Sequence, residues 1–237
     1  MTTATSPGSA GPRIPSWAQP RLAGRREAVA RGLRTAFFAV GGLDLVSLLA
    51  GWHPGHLAAK PLLMPLLMAY VLTRRGPYPL LAALGFGWGG DLALLFDADA
   101  AFLVGMASFA LGHLCYLFLF GRVRTDPLVG AAYGLALVTT VVLLWPGLPG
   151  ELRIPVAVYS LLLTAMAYRS GALGRTAALG GALFMLSDTL IATGVADWPQ
   201  PPRPDFWIML TYLAAQYLLA TGALAAGRAY GREVTPD

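Results

Sequence analysis

Eight apolar runs, each 17–21 residues long, follow one another at 35–51, 57–73, 79–96, 100–120, 128–145, 152–168, 175–195 and 206–226. A helix needs about 20 apolar residues to cross a ~30 Å hydrocarbon layer. Helices satisfy every backbone donor and acceptor without water, so the expected fold class is an all-α membrane protein, a bundle of eight transmembrane helices. The connections are short and carry turn residues, as in His53-Pro54-Gly55, Gly76-Pro77 and Pro146-Gly147. Only 12% of the 237 residues are charged and 56% are hydrophobic, against about 25% charged in soluble domains. The single cysteine, Cys115, lies inside a span, where it forms no intrachain disulfide and is read as packing.

The net charge of +5 invites a nucleic-acid reading, but the placement of the arginines explains it better. Arg13, Arg21, Arg25, Arg26, Arg31 and Arg34 precede the first span. Arg74, Arg75, Arg122, Arg124, Arg169, Arg175, Arg228 and Arg232 fall in alternate loops and the carboxyl tail, making 14 on one side. The other side holds Arg153 and Arg203 beside Asp97, Asp99, Asp197 and Asp205. By the positive-inside rule both termini are cytoplasmic. The domain reading is a cytoplasmic tail over 1–34, a membrane domain over 35–226 and a tail over 227–237. Residues 1–20, rich in Ser, Gly, Pro, Ala and Thr, are expected to be disordered, with a short basic surface helix over 21–34. No secretory signal is visible, so the first span is read as its own insertion signal. The intervals Asp91–Asp188 and Met68–Met166 are nearly equal, and four spans separate each pair, which admits a 4+4 parallel repeat.

Against this background the buried polar groups stand out. Asp91 follows Gly90 in the third span, and Asp188 follows Ser187 in the seventh. A carboxylate near the middle of a bilayer costs at least ~2.5 kcal/mol and usually faces a bundle interior or a hydrated cavity. Asp44, Lys60, His113 and Gln216 add to the set, and the charged members share the half of the bilayer away from the termini. Each also has a plainer role. Lys60 can extend to the interface, Asp44 can bond a neighbouring helix or Lys60, and Tyr116, Tyr159, Tyr212 and Gln216 can join helices. No Ser-His-Asp set suggests itself, because His113 is the only deep histidine. No metal site is expected either, since His53 and His56 are too shallow to join His113. Two carboxylates and a lysine remain, and they suit acid–base work.

Lys60-Pro-Leu-Leu-Met64, Gly90-Asp91, Ser187-Asp188 after Phe184, and Phe102-x2-Gly105-x3-Phe109-x3-His113-x2-Tyr116-x3-Phe120 resemble the YhhN-type lysoplasmalogenase family. So do Tyr159 with Met166, and Tyr212-x3-Gln216. The resemblance covers residues 35–226 and departs at Gly87, where the family usually has a serine. It implies an integral membrane hydrolase that cleaves the vinyl ether bond of lysoplasmalogens to a fatty aldehyde and a glycerophospho-alcohol.

That reaction begins with a proton delivered to an alkene carbon and passes through an oxocarbenium ion captured by water. Glycosidases divide the same labour between two carboxyl groups. Asp91 and Asp188 are the expected catalytic pair, meeting in a common hydrated chamber. Lys60 is expected to bind the phosphate or tune the pair, His113, Tyr116 and Gln216 to position water or the glycerol hydroxyl, and Asp44 and Ser187 to belong to the substrate-binding set. The expected partners are a lysophospholipid substrate and membrane lipids, with no nucleic acid and no cofactor. The expected location is a bacterial inner membrane. The same residues also fit an alternative, a proton-coupled transporter of lipids or small molecules.

Overall fold

The computed structural model describes residues 18–122 and 125–234, with side chains described over 24–122 and 125–229. Most of the tail expected to be disordered, together with Arg13 and Arg124, lies outside the described residues. Eight α-helices follow in order: α1 (Ala18–Ala50), α2 (His53–Thr73), α3 (Tyr78–Ala93), α4 (Asp99–Phe120), α5 (Pro127–Leu144), α6 (Gly150–Ser170), α7 (Arg175–Val195) and α8 (Pro204–Val234). Proline opens or adjoins five of them, where its missing N–H costs nothing. The Asp126 carboxylate caps α5 by accepting the Leu128 N–H at 2.8 Å.

Two expectations change. The basic segment 21–34 is not a separate surface helix, because α1 runs through it without a break. The third span is shorter than its apolar pattern: α3 has 16 residues and gives way to a turn at Leu94–Phe96. At ~1.5 Å per residue it rises about 24 Å, short of a full crossing. The other seven are long and apolar enough to span a membrane.

Short connections make successive helices antiparallel, and all but α4 and α5 are packed neighbours, so the bundle has a proximal end carrying the described ends of the chain and a distal end opposite. The principal packings are α1 on α2, α3 on α4, α7 on α8, α2 on α3, α6 on α7 and α4 on α6. Small residues bring the tightest pairs together. A Cβ on Gly222 would stand 2.8 Å from the Ala177 nitrogen of α7, and one on Gly112 would stand 3.1 Å from the Ala83 carbonyl of α3. By contrast, α5 buries only Leu144 and packs on α6 alone among the main contacts, with Leu135 and Val142 turned outward.

Helix α2 carries Pro61 and Pro65 in its interior. Pro65 has no N–H to give the Pro61 carbonyl one turn earlier. The Trp88 indole of α3 supplies the missing donor, Nε1 to Pro61 O at 2.9 Å. This bond ties α2 to α3 beside Lys60 and one turn from Asp91.

Candidate active site

Asp91 sits in the last turn of α3 and is 3% exposed. Its Oδ2 accepts the Tyr212 hydroxyl of α8 at 2.8 Å. Tyr212 Oη in turn accepts Gln216 Nε2 at 3.1 Å, and Gln216 Oε1 accepts the Tyr116 hydroxyl of α4 at 2.7 Å. Tyr212 and Gln216 reach the same string because residues four apart share one helix face. The amide orientation follows from this network, and every donor in it points toward Asp91. Gly87 leaves the room: a Cβ there would stand 2.9 Å from Gln216 Nε2 and 3.3 Å from Tyr212 Oη. That gives a packing reason for a residue smaller than serine at this position.

Asp188 lies in α7, about two turns before its end. Its Oδ2 accepts the Tyr159 hydroxyl of α6, and Tyr159 Oη lies 3.1 Å from His113 Nε2. Since the phenolic proton goes to Asp188, His113 donates from Nε2, and the neutral ring keeps a bare Nδ1. That Nδ1 is buried and has no hydrogen-bond partner among the described residues.

The two strings meet through aromatic rings rather than through a shared chamber. Helix α3 packs on α2, α4 and α8, whereas α7 packs on α6 and α8. Phe109, Phe184 and Tyr212 form an edge-on cluster with centroids 5.5–6.3 Å apart. His113 meets Phe184 at 4.9 Å. Asp188 is still within electrostatic reach of Asp91. Asp188 lines a largely apolar cleft between α4, α5, α6 and α7 that also takes in Tyr159, Phe109, Met106 and Leu137. The cleft encloses about 70 Å³. Asp91 is absent from its wall.

The remaining expected residues divide. Lys60 is buried and acts electrostatically on Asp91, but makes no ion pair within 4.0 Å among the described residues. Asp44 is wholly buried and bonds not to Lys60 but to His56, Oδ1 to Nδ1 at 2.8 Å. Ser187 spends its hydroxyl on the Ile208 carbonyl of α8 at 3.1 Å, which makes it a packing contact. Cys115 is half-buried against the core. Among the described residues no three His, Cys, Asp or Glu side chains converge as a metal would require. Sequence reasoning treated Tyr159 and Tyr212 as helix-joining groups, yet they are the direct partners of the two carboxylates. The signal was available, because each tyrosine shares a motif with a residue already singled out. His56 was set aside because its distance from His113 was considered and its distance from Asp44 was not.

The YhhN family profile matches residues 55–223. The Homo sapiens protein named lysoplasmalogenase TMEM86B is 35% identical over 184 residues, covering 73% of this chain and 76% of that protein. The Rattus norvegicus protein of the same name is 34% identical over 175 residues, covering 73% and 74%. The Bos taurus lysoplasmalogenase TMEM86A is 31% identical over 172 residues, covering 66% and 70%. No solved structure matches the chain.

Proposed function

The chain belongs to the YhhN family, and from that membership we propose that it is a membrane-embedded hydrolase of lysoplasmalogens in which Asp188 transfers the proton and Asp91 acts by its charge. The observation that carries this reading is that a buried carboxylate, Asp91, and a half-buried one, Asp188, each hold a tyrosine hydroxyl, and the second opens on an apolar cleft. The alkenyl chain lies in that cleft. Asp188 gives its proton to the alkene carbon farther from oxygen; the π electrons form the new C–H bond and leave an oxocarbenium ion. Water adds to the carbon that bears oxygen and returns a proton to Asp188. The resulting hemiacetal breaks its C–O bond, with the proton passing to the glycerol oxygen, and releases a fatty aldehyde.

Asp91 does not touch the reacting atoms. Its negative charge, set across the aromatic layer in a low-dielectric interior, favours the cation. Lys60 balances that charge. Tyr159, His113, Tyr212, Gln216 and Tyr116 are positioning residues that hold the two carboxyl groups.

The same reading places both termini in the cytoplasm and the site in the outer half of a bacterial inner membrane, with 35–226 as the working domain. Purified protein supplied with a 1-alkenyl lysophospholipid should release aldehyde. Lysolipid flux across liposomes without any aldehyde would overturn the reading in favour of transport.

A further inference from the structure

At the distal end the α1–α2 and α7–α8 connections meet over a second cavity of about 380 Å³, lined by Trp52, His53, His56, Arg203 and Asp205 among others. Two helices start at this cavity, α2 at His53 and α8 at Pro204. Both therefore present the positive end of their dipole there, although Gly55 and His56 spend their N–H groups on the Trp52 carbonyl, Phe206 spends its own on the Arg203 carbonyl, and Pro54 and Pro204 have none. Arg203 is exposed, and among the described residues has no ion-pair partner. Its backbone is left-handed at φ 56°, a costly conformation for a non-glycine residue. Its Nη1 lies over the chain at Gly51, 3.5 Å from where a Cβ would stand.

His56 is held from behind: the wholly buried Asp44 takes its Nδ1 and leaves Nε2 as the ring's remaining polar atom. The one acid of the cavity lining, Asp205, is exposed, and Trp52 lines the same cavity. One lining residue, His56, also acts electrostatically on Asp91.

A guanidinium, two imidazoles and two helix N-termini around one space match the geometry and charge of a phosphate. A carboxylate and an indole beside them match a small ammonium. We propose that this cavity holds the head group of the lysophospholipid, with the phosphodiester on Arg203, His53 and His56 and the head-group ammonium on Asp205 and Trp52. The inference rests on the hydrolase reading for its substrate class. It also assigns the phosphate away from Lys60, which stays with Asp91.

The test uses the full-length protein in detergent, with glycerophosphoethanolamine as the binding probe. The probe should stabilise the wild-type protein against heat and compete with the alkenyl substrate. Arg203→Gln should raise KM about tenfold while kcat falls far less, the loss expected for one charge-assisted contact. The same substitution should lower, by a similar factor, the preference for an alkenyl lysophospholipid over a 1-alkenylglycerol without phosphate. Arg203→Lys should restore part of the loss, and the exposed His53→Gln should act in the same direction. Unchanged KM and unchanged probe binding in both Arg203→Gln and His53→Gln would overturn the inference, as would a fall in kcat alone. Equal stabilisation by inorganic phosphate would reassign the cavity to the free anion and overturn the head-group assignment. Probe binding lost in the variants, with no aldehyde made by the wild type, would uphold the cavity and sink the hydrolase reading instead.

Discussion

Asp91 and Asp188 are alike in residue type and in lying within apolar helices, yet the protein surrounds them differently. Asp91 ends a string that crosses three helices, α4, α8 and α3, and is closed off from the cleft. Asp188 ends a shorter string from α4 through α6, and stands at the wall of an apolar opening. On the proposed reading one carboxylate touches the substrate and the other is felt by it. Two acids in like segments are thus not interchangeable halves of a pair, and their roles follow from which helices bring them hydroxyl groups.

Four substitutions separate these roles. Asp188→Asn should have the largest effect, lowering kcat by about 10³–10⁴ as loss of a proton-transferring group does, while Asp91→Asn should cost about 10² as loss of a single charge–dipole contribution. Aldehyde release under saturating substrate measures both, and an equal loss in the two variants would erase the distinction. Next, Tyr159→Phe should lower turnover by about tenfold and Tyr212→Phe by less, because only the first frees a carboxylate that meets substrate. A reversed order would put Asp91 at the reacting bond.

Tyr116→Phe leaves Gln216 Oε1 buried without its donor and should destabilise the protein by about 1–3 kcal/mol, read as a lower thermal midpoint in detergent. Its effect on kcat should be smaller than that of Tyr159→Phe. Gly87→Ala has the smallest expected effect, about 1 kcal/mol from crowding Gln216 and Tyr212. It should leave the Tyr159–Asp188 string untouched.

The helix order was legible because spans in lipid are marked by length and composition, which need no long-range information. The end of α3 was not, because Leu94, Leu95 and Phe96 continue the apolar pattern through a turn, and hydropathy cannot distinguish a last helical turn from the chain leaving it. Asp91 and Asp188 were legible as charges in an apolar setting. Their hydroxyl partners were not assigned to them, since which of several tyrosines meets which carboxylate depends on helix rotation. The distal cavity was the least legible feature. Its residues come from two connections about 150 positions apart, and in each connection alone they read as ordinary turn residues. Asp44 and Lys60 both looked like partners for one another, whereas the packing of α1 on α2 gave Asp44 to His56.

Gln216 sits between Tyr116 and Tyr212 in the row that ends on Asp91, and its primary amide behaves unlike the hydroxyls on either side. A hydroxyl gives up one proton and takes another in a single hop, whereas an amide must pass through a high-energy imidic acid to do so. The row from Tyr116 therefore conducts no acid equivalents from the proximal half of the membrane, however well its dipoles are aligned. Asp91 is insulated on that flank, and any exchange it makes with bulk solvent has to come from the direction of Lys60 and the distal surface.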